Sequence, residues 1–462
     1  MRLFLRADPS HRRTLAWHAR TLPALGLLIA AATPAAAWSN HALCTWPALS
    51  VLPAVAQAAP VKVESLASFL AAESAALAPL LRQEEQWARD HVPTYPPRPD
   101  ALAFEGGVAP AAELQRPFLA AVRVNPESRM TLYLQLPPGQ STNGRPVRPE
   151  GEITTLKRNE TTQSNVFVAL KDGDQVPPID VVATASDEPD HGLDIGLWED
   201  SGTAYGRDYK LGKQPFGNPA IEFASQAPLH MGFFHEAAIV YKAAPFLQRT
   251  YPEYRIHLWQ TLAVHAFRSG HPYWGWRFAG WSLHYLQDLT QPYHATVLPG
   301  VGVASMLWIN ALDLAGFHGS KERAVSLVSN RHLALENYQF QRLRSDWLRG
   351  DFGDAPIAAL KDSSRDAGRS YTDASPRATI TKESNEAAAA IDAILERHLP
   401  AKYVSDPAYV FGETESGVDL YAVVNGAGAP ARAAMTEALV RLLGSFGSYT
   451  RAFVRSLPVA PS

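Results

Sequence analysis

The chain has 462 residues, 46% of them hydrophobic, enough to bury one large core or two ordinary ones. A net charge of −3 gives no sign of a broad basic face for gripping nucleic acid. A single cysteine, Cys44, excludes an internal disulfide framework, so stability must come from the core and from any bound metal. Cys44 itself lies in the run HALCTWPAL and is expected to be a small buried apolar residue.

Residues 1–37 read as an export signal. Arg2, Arg6, Arg12, Arg13 and Arg20 make a positive start, and Leu22 to Ala32 is an apolar run too short for a membrane span. Ala35, Ala36 and Ala37 fit a small-residue cleavage site, which would leave Trp38 as the mature N-terminus. The Arg12–Arg13 pair is a weak sign of twin-arginine export. No later stretch reaches the roughly 18 apolar residues of a membrane helix. The mature protein is therefore expected to be soluble, and secreted or periplasmic.

Residues 38–92 read as helical, with SLASFLAAESAALAPLLRQEEQWARDH as the clearest amphipathic stretch. TYPPRP at 94–99 breaks it. Residues 100–228 differ: Pro and Gly punctuate them, and MTLYLQL and NVFVALKD read as short strands. This is an irregular, partly β insertion in a mainly α chain. From about 229 to 290 helical spacing returns, with a helix-to-helix turn at Gly270, His271 and Pro272. Residues 295–316 are apolar and Gly-bearing, and are expected to form a loop or a short buried helix. Helices resume over 321–348, 381–398 and 431–456. Residues 345–462 carry no motif and are expected to pack on the preceding helices and complete one domain, 38–462.

The run WSLHYLQDLTQPYH carries most of the chemistry. A helix repeats every 3.6 residues, so His284 and Asp288 share one face. Pro292 ends that helix and lets His294 fold back. Two imidazoles and a carboxylate converging at a helix end suit a hard-to-borderline metal, zinc above all. His332 and Glu336, in RHLALENYQF, form a second i, i+4 pair able to hold a second metal with His294. His318 and Glu322 have the same spacing and compete for that role. His230 and His235 are five apart and face different ways, so one ligand is expected from the two. Asp187 and Asp190 offer a loop carboxylate. Trp38, once processed, could chelate through its amine and carbonyl near His41. His257, His265, His271 and His398 are expected in surface or core roles.

Taken in order, Trp38, His41, a loop Asp, APLH at 227–230, LHYLQDLTQPYH at 283–294 and the His332–Glu336 pair resemble the zinc-dependent bacterial phospholipases C. That group includes clostridial alpha-toxin, and the fungal and plant single-strand-specific nucleases share its fold and three-zinc site. The resemblance covers the mature N-terminus and roughly residues 185–340. It implies a multi-helix bundle around three zinc ions. One would take Asp190, His230, His284 and Asp288, and a second His294, His332 and Glu336. The third would take the Trp38 amine and carbonyl, His41 and the other oxygen of Asp288. Asp190 would also orient or deprotonate the attacking water, while Asp288 bridges two metals. The gaps of about forty residues from Asp190 to His230 and from His294 to His332 are wider than the family usually shows, and imply loop insertions near the site.

The implied activity is hydrolysis of phospholipids such as phosphatidylcholine to diacylglycerol and a phosphorylated head group. HxxxE followed by Asn-Tyr, together with QPYHAT, resembles the phospholipases; the nucleases tend to carry HxxxD and disulfides. Trp274, Trp276 and Tyr293 are candidates for cation–π contact with choline. The expected partners are a phospholipid and, transiently, a membrane or micelle surface, with no stable nucleic-acid partner and a monomeric chain. The alternatives are a single-strand-specific nuclease or 3'-nucleotidase, and a non-catalytic exported zinc-binding protein.

Overall fold

The computed structural model describes residues 40–107, 110–156, 165–217, 223–411 and 414–459. The expected export signal and Trp38 lie outside the described residues. The fold is mainly helical, as the sequence periodicity requires. Its principal helices are α1 (Ala42–Ser50), α2 (Leu66–His91), α3 (Pro178–Ala185), α4 (Pro252–Arg268) and α5 (Pro272–Asp288). They continue with α6 (Val303–Leu314), α7 (Gly319–Arg349), α8 (Ala355–Lys361), α9 (Thr381–His398) and α10 (Ala429–Ser456).

Among the described residues, strands are confined to the amino-terminal half. β1 (Val61–Lys62) pairs antiparallel with β5 (Gln175–Val176). β2 (Tyr133–Leu136), β3 (Val147–Arg148) and β4 (Val166–Ala169) form an antiparallel sheet in the order β2-β4-β3, with Tyr133 opposite Ala169 and Val147 opposite Val168. MTLYLQL and NVFVALKD thus supply β2 and β4, and the sheet packs on α3.

α5 is the axis of the molecule. Every residue from Tyr273 to Asp288 is buried. A helix that is apolar and aromatic all round can only sit inside. Its ring faces meet Trp259 of α4: Trp259 and Trp281 lie edge to face at 4.7 Å, and Trp259 stacks on Phe278 at 5.9 Å. Gly270 supplies the positive φ that turns α4 into α5. α3 and α10 pack on the other sides of α5. α2 and Glu64 just before it are tied to α4 and the turn after it by three histidine–glutamate pairs: His257–Glu84, His265–Glu73 and His271–Glu64, at 2.8, 2.7 and 2.8 Å. These are the structural roles expected for those histidines; His398 is half-buried at the end of α9.

The C-terminal helices complete the body. α10 lies against α1, α5, α8 and α9. Arg451, fully buried on α10, donates to the carbonyls of Ala48 and Leu360 and pairs with Asp366 at 2.8 Å. Residues 295–316 depart from expectation. They form a twelve-residue helix, α6, none of whose residues is buried. Apolar sequence predicts burial only where neighbours close over it, and α6 rests on α7 and the short helix Ala238–Ala243 from one side alone.

The contact between α5 and α3 is tightest at Gly280, where an added Cβ would lie 2.4 Å from Ala185 Cβ and 2.8 Å from the Val182 carbonyl oxygen. Glycine-to-alanine in an exposed helix gains up to about 1 kcal/mol of helix propensity. Here the overlap with backbone outweighs that gain. Gly280→Ala is expected to lower stability by about 1–3 kcal/mol in denaturant unfolding, the usual range for overpacking a closed contact.

Candidate metal centre

The last turn of α5 presents His284 and Asp288, both with no exposure. The chain then caps itself: the Gln291 N–H donates to the Asp288 carbonyl, and the Gln291 side chain accepts from the Tyr293 N–H. Pro292 opens a short helical turn, Pro292–Ala295, that points His294 back at α5. The His294 carbonyl accepts from Gly232 N–H at 2.8 Å, which ties this turn to the one carrying His230. His41 arrives just before α1, Asp190 from a single 3-10 turn at Glu188–His191, and His332 and Glu336 from one face of α7.

These side chains meet in three groups, the first two sharing His284: His41, His284 and Asp288; Asp190, His230 and His284; and His294, His332 and Glu336. Asp288 links the first two. Its Oδ1 lies 3.2 Å from His41 Nε2, and its Oδ2 lies 2.9 Å from His230 Nδ1 and 3.5 Å from His284 Nε2. Asp190 Oδ1 stands 3.7 Å from His284 Nε2. In the third group, His332 Nε2 lies 2.6 Å from Glu336 Oε1 and 3.1 Å from His294 Nε2. His294 Nδ1 is 4.0 Å from Asp288 Oδ2, so the groups form one continuous cluster.

Contacts outside the cluster fix which nitrogen of each ring faces in. His284 Nδ1 donates to the Ser186 carbonyl at 2.7 Å, and His294 Nδ1 to the His230 carbonyl at 3.2 Å. His41 Nδ1 meets Gln287 Oε1 at 2.8 Å, while the Gln287 amide nitrogen donates to Thr45 and to Thr450 of α10. His230 Nε2 faces Asp194 Oδ2 at 3.3 Å. Asp194 is held in turn by Arg255 at 2.6 Å and the Tyr285 hydroxyl at 2.7 Å. Asp194, Gln287 and Ser186 were not singled out in the sequence. Asp194 lies four residues after Asp190, but its partners are 36 to 91 residues away, and no local pattern announces them.

The electrostatics ask for cations. Inward nitrogens face one another at 3.1 Å in two places, His284–His230 and His294–His332, and each pair can share one proton at most. Asp288 Oδ1 and Glu336 Oε2 are buried without an aligned hydrogen bond. Burial drives His294 and His332 down to a pKa of about 3, so both are neutral and fit to ligate. Burial alone would raise Asp288; the surrounding imidazoles of His284, His294, His230 and His41 outweigh it and hold the carboxylate well below its usual range. A divalent metal satisfies facing lone pairs and orphaned carboxylate oxygens together, and the donors are the nitrogens and oxygens that borderline metals take. The residues present can hold metal ions.

The structure also separates the competing candidates. Asp190 joins the cluster, with Gln226 Nε2 on its Oδ1 at 2.7 Å. Asp187 faces the other way, accepting from the Ala42 N–H and from Gln135 at 2.6 Å, and so anchors the start of α1. His332 and Glu336 are inside, whereas His318 is exposed and bonded to Asp313, and Glu322 is exposed. His235 is bonded to the Arg377 carbonyl, away from His230. Cys44 is fully buried, with Gln339 at its sulfur. The aromatics proposed for choline do not serve it: Trp274, Trp276 and Tyr293 are at most 3% exposed. Trp274 and Trp276 pack in the core, and Tyr293 stacks on His332 at 5.5 Å. No protein-family model, curated protein or solved structure matches the chain.

Asp288→Asn is expected to lower bound metal, read by elemental analysis, because one carboxylate faces two groups. Asp187→Asn should leave the metal content unchanged. Equal content in Asp288→Asn and the unaltered protein would remove Asp288 from the centre.

Metal uptake should also release protons. Burial lowers the His41 and His230 pKa, but the Asp288 carboxylate beside His41, and the Asp194 and Asp288 carboxylates facing His230, outweigh it, raising them to about 8 and about 10. Burial raises Asp190 to about 7. At neutral pH these groups hold protons that coordination displaces, so apparent affinity rises with pH. Titration calorimetry in two buffers at pH 7 should count about two or more protons released on full loading.

Proposed function

We propose that the chain is an exported zinc metallo-phosphodiesterase that hydrolyses phospholipids such as phosphatidylcholine to diacylglycerol and a phosphorylated head group. The observation that carries the reading is the convergence on Asp288. The residues that resemble the phospholipase C ligands, from five separate parts of the chain, meet in three neighbouring groups around it. An all-imidazole and carboxylate donor set, without thiolate, fits zinc. The assignment takes three ions, the third completed by the Trp38 amine and carbonyl beside His41.

A phosphodiester resists hydroxide because both are anions. Bound zinc would neutralise phosphate oxygens and lower the pKa of a coordinated water from 15.7 toward about 7. The chain's own carboxylates divide the remaining work. Asp190 is 8% exposed, whereas Asp288 and Glu336 have no exposure, so Asp190 is the carboxylate an entering substrate meets. Burial and the nearby Asp288 charge raise Asp190 to about 7, against the lowering effect of His230. Its exposure, rather than that proton affinity, places it to orient or deprotonate the attacking water once coordination has displaced its own proton. Gln226 fixes its orientation. Asp288 is pushed the other way and stays an anion.

Lipid is preferred to nucleic acid on the His332–Glu336 pair followed by Asn337 and Tyr338, on QPYHAT, and on a lone Cys44 that makes no disulfide. The enzyme is taken to act as a monomer outside the cytoplasm, meeting a membrane or micelle surface transiently.

The test is head-group release from phosphatidylcholine by the purified, zinc-loaded protein, with and without chelator, beside single-stranded nucleic acid. Chelator-sensitive release with nucleic acid intact is the expected result. Cleavage of nucleic acid alone would overturn the substrate, and hydrolysis of neither would point to a zinc-binding protein without turnover.

A further inference from the structure

Between the ligands His294 and His332 the chain carries an apolar excursion. Residues 297–317 contain one charged residue, Asp313, and that charge is answered by Lys321 at 2.9 Å and His318 at 2.6 Å. None of α6 is buried. Trp308 and Phe317 are 66% and 67% exposed, the two highest values among the exposed large hydrophobic residues, and Val303 and Leu314 join them. Ile239, on the neighbouring helix Ala238–Ala243, is exposed as well. Single exposed apolar residues are ordinary, but a twelve-residue apolar helix with no buried residue, bearing an exposed Trp and followed by an exposed Phe, marks a contact surface.

The chain ties this surface closely to the metal centre. Beneath α6 runs an apolar cleft lined by Val240, Leu247, Val297, Leu298, Met306 and Val325. Val297 is three residues from the ligand His294, and α7 runs from this cleft to His332 and Glu336. Charge decides what the patch fits. Its centre is uncharged, and the exposed cations Lys242 and Arg323 flank it on the two supporting helices, with one exposed acid, Glu322, among them. An apolar centre with a mildly cationic edge complements acyl chains lying beneath a layer of phosphates. At 1.5 Å per residue α6 is about 18 Å long, short of the roughly 30 Å hydrocarbon layer. No helix among the described residues is long and apolar enough to cross a membrane. The helix would lie on a bilayer.

We propose that α6 and the turn through Phe317 are a lipid-docking surface that seats the metal centre on a phospholipid bilayer. This rests on the phospholipase reading for the identity of its partner. The docking is non-covalent, with Trp308 and Phe317 entering the headgroup and acyl boundary.

The test uses the intact zinc-loaded protein and the double variant Trp308→Ser/Phe317→Ser. Binding is read by co-sedimentation with vesicles of phosphatidylcholine and phosphatidylglycerol, and turnover with a short-chain phosphatidylcholine kept monomeric. Both side chains are exposed, so the melting temperature should hold. The variant is expected to lose about tenfold or more in vesicle affinity. It should keep its turnover of monomeric lipid. Unchanged vesicle binding would overturn the docking surface. So would a dimeric unaltered protein that the variant converts to monomers without loss of vesicle binding, which would give the patch to a second copy. Reduced vesicle binding with no lipid turnover by either protein would keep the docking surface and sink the phospholipase reading. Turnover of monomeric lipid with equal vesicle binding by both would do the reverse.

Discussion

A carboxylate with no exposure to water, Asp288, is the constraint around which this protein is built. Taking such a charge out of solvent costs several kcal/mol unless positive charge and hydrogen bonds replace the lost water. Imidazoles of His41, His230 and His284 stand within 3.5 Å of its two oxygens, and His294 within 4.0 Å. The histidines are themselves buried, and their outer nitrogens are aimed by Ser186, Gln287, Asp194 and the His230 carbonyl. Neither the anion nor the rings would be stable there alone. Together they make a concentrated, pre-aligned set of donors whose remaining electrostatic demand is for metal cations.

The rest of the fold serves to hold that set still. α5 brings His284 and Asp288 to the interior because its aromatic faces leave it nowhere else to go. α10, far away in sequence, reaches the back of the site through Thr450 and Gln287, which in turn sets the His41 ring. Asp187 clasps the start of α1 and keeps His41 at its post, so a carboxylate that is no ligand candidate still positions one. Arg255 and Tyr285 do the same for Asp194 behind His230. A site held from all sides in this way keeps its donors aligned.

The two wide gaps between ligand segments have different uses. The stretch before His230 wraps the core, with Trp198 and Tyr209 fully buried in it. The stretch between His294 and His332 turns outward and displays α6. The molecule therefore buries a dense cluster of titratable groups and exposes an apolar helix, the reverse of the usual arrangement on both counts.

Helical periodicity determined much from the sequence alone. The mainly α character, the partly β insertion, and the faces shared by His284 with Asp288 and by His332 with Glu336 are local properties that a 3.6-residue repeat imposes. Pro292 likewise made the return of His294 legible. Local pattern could not choose Asp190 over Asp187, or His332 over His318, because each rival has the same chemistry and similar spacing; only the three-dimensional path of the loops separates them. Nor could it reveal Asp194, Gln287 or Ser186, whose roles are contacts across long stretches of chain. The same limit explains the aromatics and α6. Trp274, Trp276 and Tyr293 read as pocket material and are core, while α6 reads as core and is surface, because composition gives a side chain's preference and only the packing of neighbours decides whether that preference is met.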